Sequence, residues 1–262
     1  MTAARPTQLT SGLLLAAAGS IAFSGKAIIV KLAYRHGVDA VTLVMYRMLL
    51  ALPMFLLMAL WAGRGKAHLQ ERDWLGIVGL GFSGYYLSSF LDFWGLEYIS
   101  ASLERLILYL NPTLVLVLGW LLYRRKISHR QGVAMAISYS GVLLVFGHEV
   151  SFAGAHAALG ALLVLLSALT YAVYLNYSGQ MVQRIGALRL AGWATSVACV
   201  FCIAQFVVLR PLSSAQVAEP VLWLSLLNAT LCTALPVVLV MMAIERIGPG
   251  LTAQIGMIGP MS

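Results

Sequence analysis

Apolar runs of about 20 residues, long enough to cross a bilayer as a helix, recur along most of this 262-residue chain. They predict helices near 11–33, 41–62, 74–95, 100–122, 131–147, 157–178, 189–209 and 220–243, with a ninth starting near 249. Hydrophobic residues make up 61% of the chain and charged residues 10%, outside the range of water-soluble domains. Little sequence is left for a soluble domain, so the expectation is one all-α integral membrane domain. The first run carries Lys26 and Lys31 and lacks a cleavage-like end, so it reads as a span rather than a signal peptide.

A second pattern organises these runs. Leu96-Glu97-Tyr98-Ile99 followed by Asn111-Pro112 returns as Ile244-Glu245-Arg246-Ile247 followed by Gly259-Pro260, 148 residues later at each point. The same offset lays Gly12 on Gly160. A constant offset marks a duplicated unit, with copies predicted at 11–147 and 157–262. By analogy with the first copy, the second needs roughly 35 more residues to finish, so it is expected to be cut short within its ninth helix.

The net charge of +8 suggests nucleic acid until its placement is considered. With the N-terminus in the cytoplasm, the inner segments carry Arg5, Arg64, Lys66, Arg72, Arg124, Arg125, Lys126, Arg130, Arg184, Arg189 and Arg246, and the outer loops only Arg35 and Arg210. This positive-inside bias sets orientation in the cell (inner) membrane and leaves no nucleic-acid partner. A first copy of five helices beginning inside makes the second begin outside. The two copies are then inverted repeats, as in secondary transporters with a site at the repeat interface.

Several short motifs read as packing. Cys199-Val-Phe-Cys202 lies mid-span with Cys232 in the next helix, where small apolar side chains are wanted. Gly79-Leu-Gly81-Phe-Ser-Gly84 lacks the strand that a dinucleotide fingerprint requires, and small residues let membrane helices approach closely. Gly81-Phe-Ser83-Gly84 also matches an intramembrane serine-protease motif, but all five histidines fall in loops or at helix ends. No metal site or cofactor is expected, and the chain is not read as an enzyme.

Six ionisable residues do fall within the first four helices: Lys26, Lys31, Arg47, Asp92, Glu104 and Arg105. A charge at a helix centre costs on the order of 3 kcal/mol on insertion scales, so such groups face a bundle interior or cavity. Counting residues places Lys31, Asp92, Glu104 and Arg105 near the outer surface, and Lys26 and Arg47 about 10 Å deeper. Helical spacing puts Lys26 on the small-residue stripe of helix 1, Tyr85, Ser88 and Asp92 on one face of helix 3, and Arg105, Tyr109 and Pro112 on one face of helix 4 beside Asn111. Glu104 and Arg105 are expected to pair structurally. Lys26 and Arg47 are the candidate ligands for an anionic or zwitterionic solute. At the 148-residue offset Lys26, Arg47, Asp92, Glu104 and Arg105 fall on Tyr174, Thr195, Val240, Thr252 and Ala253, so the second copy keeps the frame and drops the charges. Tyr171 and Tyr174 are expected to line the inner part of the cavity.

Proline removes a backbone donor and breaks helices. Pro112 and Pro260 are equivalent under the repeat, and Pro236 is equivalent to Ser88; all three are candidate hinges.

Phe23-Ser-Gly-Lys26, the stretch from Lys31 to Leu49 with Arg47, and Ile99-Ser-Ala-Ser-Leu-Glu104-Arg105-Leu-Ile-Leu-Tyr-Leu-Asn-Pro112-Thr resemble the EamA family of the drug/metabolite transporter superfamily. The resemblance runs over nearly the whole chain. It implies ten helices in two inverted five-helix repeats, with both termini cytoplasmic. It also implies export of small metabolites, amino acids among them, by alternating access. The expected function is therefore a secondary transporter exporting a small polar metabolite. Lys26 and Arg47 would orient a carboxylate, and Tyr85, Tyr109, Tyr171 and Tyr174 would line the path. Asp92, ahead of Glu104, is the candidate carrier if protons are the coupling ion. An intramembrane enzyme, or a sensor or assembly subunit that transports nothing, is the alternative. The partners are the solute and the bilayer, and the chain is a monomer or homodimer.

Overall fold

The computed structural model describes residues 6–124 and 156–261, together with Gly132, Val133, Ala136 and Ser140. The predicted helix at 131–147 otherwise lies outside the described residues. Among the described residues the chain is helical throughout, with seven stretches long and apolar enough to span a membrane. Residues on the outside of the bundle, such as Leu57, Leu75 and Val208, are exposed and apolar, as contact with lipid requires.

In chain order the helices are α1 (Pro6–Ser24), α2 (Lys26–Tyr34), α3 (Ala40–Gly63), α4 (Glu71–Leu80), α5 (Ser88–Tyr98), α6 (Ala101–Leu108), α7 (Asn111–Tyr123), α8 (Ala157–Ile185), α9 (Ala187–Leu209), α10 (Glu219–Ala229) and α11 (Leu235–Ile255). Their ends follow local chemistry. Asp39 and Ser100 cap α3 and α6 by accepting the amides of Thr42 and Leu103. The backbone N–H of Gln70 donates to Asp73 at the start of α4, half of a capping box.

The predicted eighth and ninth helices form one stretch, Glu219–Ile258, broken at Gly248 (φ 78°, ψ 165°). A left-handed φ there suits glycine, and Pro249 opens the next turn. Gly248 lies 148 residues after Ser100, the cap at the matching turn of the first copy.

Further features recur at this offset. Two π-helical segments, Gly81–Leu87 and Thr230–Ala234, interrupt the two third helices at matching positions. A methyl on Gly12 would lie 2.4 Å from Ile247 Cγ2, and one on Gly160 would lie 2.7 Å from Ile99 Cγ2. Gly19 faces the Pro236 carbonyl, as Ser167 faces Ser88 through paired hydroxyl bonds. Thus α1 packs on α11, and α8 packs on α5. α3 and α9 pack together, with Gly192 against Ala59.

Polar contacts tie the N-terminal helices to the C-terminal ones. Arg184 meets Asp73 at 2.9 Å and Gln70 at 2.9 Å, Arg189 donates to the Ala67 carbonyl, and Arg210 meets Asp39 at 3.3 Å. Arginines read from the sequence only as topology signals therefore also bridge helices.

Candidate functional site

The helices around the centre are discontinuous. The first span breaks at Gly25, the third and seventh pass through π segments, and the fourth breaks at Tyr109-Leu110 before Asn111-Pro112 restarts it. Such interruptions free backbone groups inside the bundle and are common at transport sites. The Ser24 carbonyl at the first break accepts from the Arg105 guanidinium. Pro112 sits at the start of α7 and Pro236 at the start of α11, positions where the missing N–H costs least. Pro260 falls in a 3-10 turn, Gly256–Met261, and its ring lies outside the described residues.

Lys26 opens α2 directly after the Gly25 break. Its Nζ lies 2.5 Å from Asp92 Oδ2 on α5 and 3.2 Å from Glu104 Oε1 on α6. The expected Glu104–Arg105 pair is not formed, and Glu104 pairs with Lys26 instead. Consecutive residues project about 100° apart around a helix and do not face each other. Asp92 and Glu104 are buried, at 2% and 1% exposure, and the long lysine stem carries its charge to their level.

Arg47 on α3 is different. It is 3% exposed, its guanidinium carbon stands 4.5 Å from the centre of the Phe93 ring, and its Nε and Nη2 have no hydrogen-bond acceptor. Among the described residues no carboxylate comes within ion-pair distance of it. A buried cation over a ring face, with two nitrogens lacking acceptors, keeps donor capacity for another anion.

Three tyrosines continue the wall. The Tyr174 hydroxyl donates to that of Tyr85 at 2.8 Å, with Met241 Sδ 3.3 Å away. Tyr171 stacks on Tyr174 with ring centres 5.7 Å apart. Gly84 admits this packing, since a methyl there would lie 2.2 Å from the Tyr174 ring.

These groups surround a cavity of about 190 Å³. Of the eleven polar side chains that the sequence marks as candidate site residues, ten line it: Lys26, Arg47, Tyr85, Ser88, Asp92, Glu104, Arg105, Tyr109, Asn111 and Tyr171. Tyr174 lies behind Tyr85, fully buried. Pro112 reaches the cavity, whereas in the Pro236 region it is the next residue, Val237, that does.

Sequence reasoning missed Ser20, Phe23, Ser167, Thr233 and Met257 among the lining residues. The offset contained the signal, because matched positions face the cavity together. Phe23 matches Tyr171, Tyr85 matches Thr233, Asp92 matches Val240, Glu104 matches Thr252 and Tyr109 matches Met257. One wall is therefore rich in charge and the opposite wall mostly apolar.

The motifs read as packing behave so. Ser83 donates to the Gly79 carbonyl of its own helix at 2.9 Å. Cys199, Cys202 and Cys232 are buried free thiols, with Cys199 Sγ 3.8 Å from Met48 Sδ.

The sequence pattern of the EamA-like transporter family matches residues 10–147 and again 158–262. The chain is 30% identical to the uncharacterized transporter YcbK of Bacillus subtilis, over 97% of its own length and 83% of that protein. It is 26% identical to an uncharacterized transporter of Archaeoglobus fulgidus over 72% of this chain and 65% of that one. A crystal structure at 15% identity covers 95% of this chain and 86% of that chain with a TM-score of 0.70, which shows a shared fold.

Proposed function

The chain belongs to the EamA-like transporter family, and we propose that it is a secondary carrier exporting a small zwitterionic metabolite, an amino acid or similar, by alternating access. The observation that carries this reading is the pairing of unsatisfied groups of opposite kind around one cavity. Arg47 Nε and Nη2 lack acceptors, while Asp92 Oδ1 lacks a hydrogen-bond donor. Buried polar groups are normally satisfied, and a solute carrying one carboxylate and one ammonium group supplies both partners. The mostly apolar wall at Val237, Val240, Ala253 and Met257 leaves room for an uncharged side group.

The reciprocal contacts between first and third helices support two inverted five-helix repeats that rock about the cavity. The breaks before Pro112 and Pro236 are the proposed hinges. The excess of arginine and lysine on one side supports a cytoplasmic N-terminus in the cell membrane.

Counterflow in liposomes tests this reading. Vesicles holding the purified protein and preloaded with a mixture of unlabelled amino acids should accumulate at least one labelled amino acid from outside, and protein-free vesicles should not. A panel of amino acids and small organic acids that all fail to exchange would overturn it.

A further inference from the structure

We infer that Asp92 and Glu104 form a binding site for one small monovalent cation, and that Lys26 occupies this site as a tethered substitute. The two carboxylates come from different helices, α5 and α6, and converge on one ammonium at 2.5 and 3.2 Å. Both are buried, and the lysine leaves Asp92 Oδ1 without a hydrogen-bond donor. An array of buried carboxylate oxygens with spare capacity is suited to a hard cation. Lysine is a compact point charge on a flexible stem, unlike the planar fork of arginine, so it is the side chain that imitates such an ion.

The surrounding charges do not compete for the place. Arg47 comes from α3 but lies over the Phe93 ring. Arg105 shares the helix of Glu104 yet turns to the Ser24 carbonyl. Tyr171 faces the same cavity from α8. Among the described residues Lys26 is the cation in contact with both carboxylates.

A carrier must reorient when empty, and two bare carboxylates would oppose that step in a low-dielectric interior. A lysine that never leaves the protein supplies the balancing charge in every state. The native carrier then needs no coupling cation. That consequence rests on the carrier reading, whereas the site itself does not.

The test compares thermal unfolding of the purified wild type and Lys26→Met at constant ionic strength, exchanging choline chloride for sodium chloride or methylammonium chloride. The variant should be less stable in choline and regain several degrees, saturably, in one of the small cations. The wild type should not respond, and the response should vanish in the K26M/D92N/E104Q variant. The proposal is overturned if K26M shows no cation-specific shift, if the wild type shows the same shift, or if only acidification stabilises K26M, which would make the pair a proton site. If K26M does not fold in choline, recovery of monodisperse protein by either small cation is the same result in another readout, and failure of both salts overturns it. In liposomes K26M exchange should become dependent on that cation. A wild type that moves no solute would end the carrier reading, and the unfolding comparison would still decide the site.

Discussion

Glu97 accepts the backbone N–H of Ala40 at 2.8 Å, fastening the end of α5 to the first turn of α3. Its counterpart Glu245 accepts the N–H of Ala187 at 3.3 Å, at the first turn of α9. First-turn amides have no partner within their own helix, and a carboxylate there also opposes the positive end of the helix dipole. The repeated glutamate, the clearest mark of duplication, is therefore a structural clasp. Replacing either one with alanine should cost about 1 kcal/mol, read as a fall of roughly 2–4 °C in the unfolding temperature. Glutamine keeps an acceptor and should recover part of the loss. Equal melting of wild type and both alanine variants would refute the clasp.

The glycine motif separates packing from nucleotide binding position by position. A methyl on Gly79 meets nothing within 4 Å, one on Gly81 would lie 2.5 Å from the Ala194 carbonyl oxygen, and one on Gly84 would strike the Tyr174 ring. Gly79→Ala should be neutral or slightly stabilising, because alanine favours helix. Gly81→Ala and Gly84→Ala should each destabilise by about 1–3 kcal/mol through overpacking. The three unfolding temperatures in detergent check this order.

How much of this was readable beforehand follows from which forces are local. The spans were legible because lipid imposes long apolar runs, and ten cavity residues were legible because charged and polar side chains inside a membrane turn inward. Partner choice was not. Glu104 adjoins Arg105 in sequence but meets Lys26 in space, since pairing depends on helix rotation and on the reach of a lysine stem. The apolar half of the cavity was hidden as well. Val240 and Met257 look like any lipid-facing residues until the offset sets them opposite Asp92 and Tyr109. The π segments were not read from the sequence, although they stand at positions that match under the 148-residue offset.

Asp39 should give the fold an acid-sensitive point outside the spans. Partial burial pushes its carboxyl up, but hydrogen bonds from the Thr42 hydroxyl and amide, with Arg210 alongside, outweigh burial and hold it below the usual aspartate value. A group depressed in the folded state stabilises above its unfolded pKa, about 3.9, and that contribution is lost as pH falls through the lower folded value. Asp39→Asn keeps a cap but cannot titrate. The stability gap between wild type and D39N should be constant near neutrality and shrink below about pH 4. Thermal unfolding across that window measures it, and a gap that widens on acidification would reverse the assignment.

Arg47 allows function to be told from folding. A structural arginine would be paired, and removing it would lower stability. This one is buried with two nitrogens lacking acceptors, an arrangement that costs the fold free energy. Arg47→Met keeps the length and apolar contact with Phe93, so its unfolding temperature should hold or rise. Solute binding should weaken by about 10-fold to 150-fold, the equivalent of a charged hydrogen bond worth about 1.5–3 kcal/mol. Arg47→Lys restores charge without the two-pronged geometry and should recover only part of that affinity. Half-saturation in counterflow, measured beside the melting curve of each variant, separates the cases. A methionine variant that melts lower and exchanges normally would return Arg47 to the scaffold.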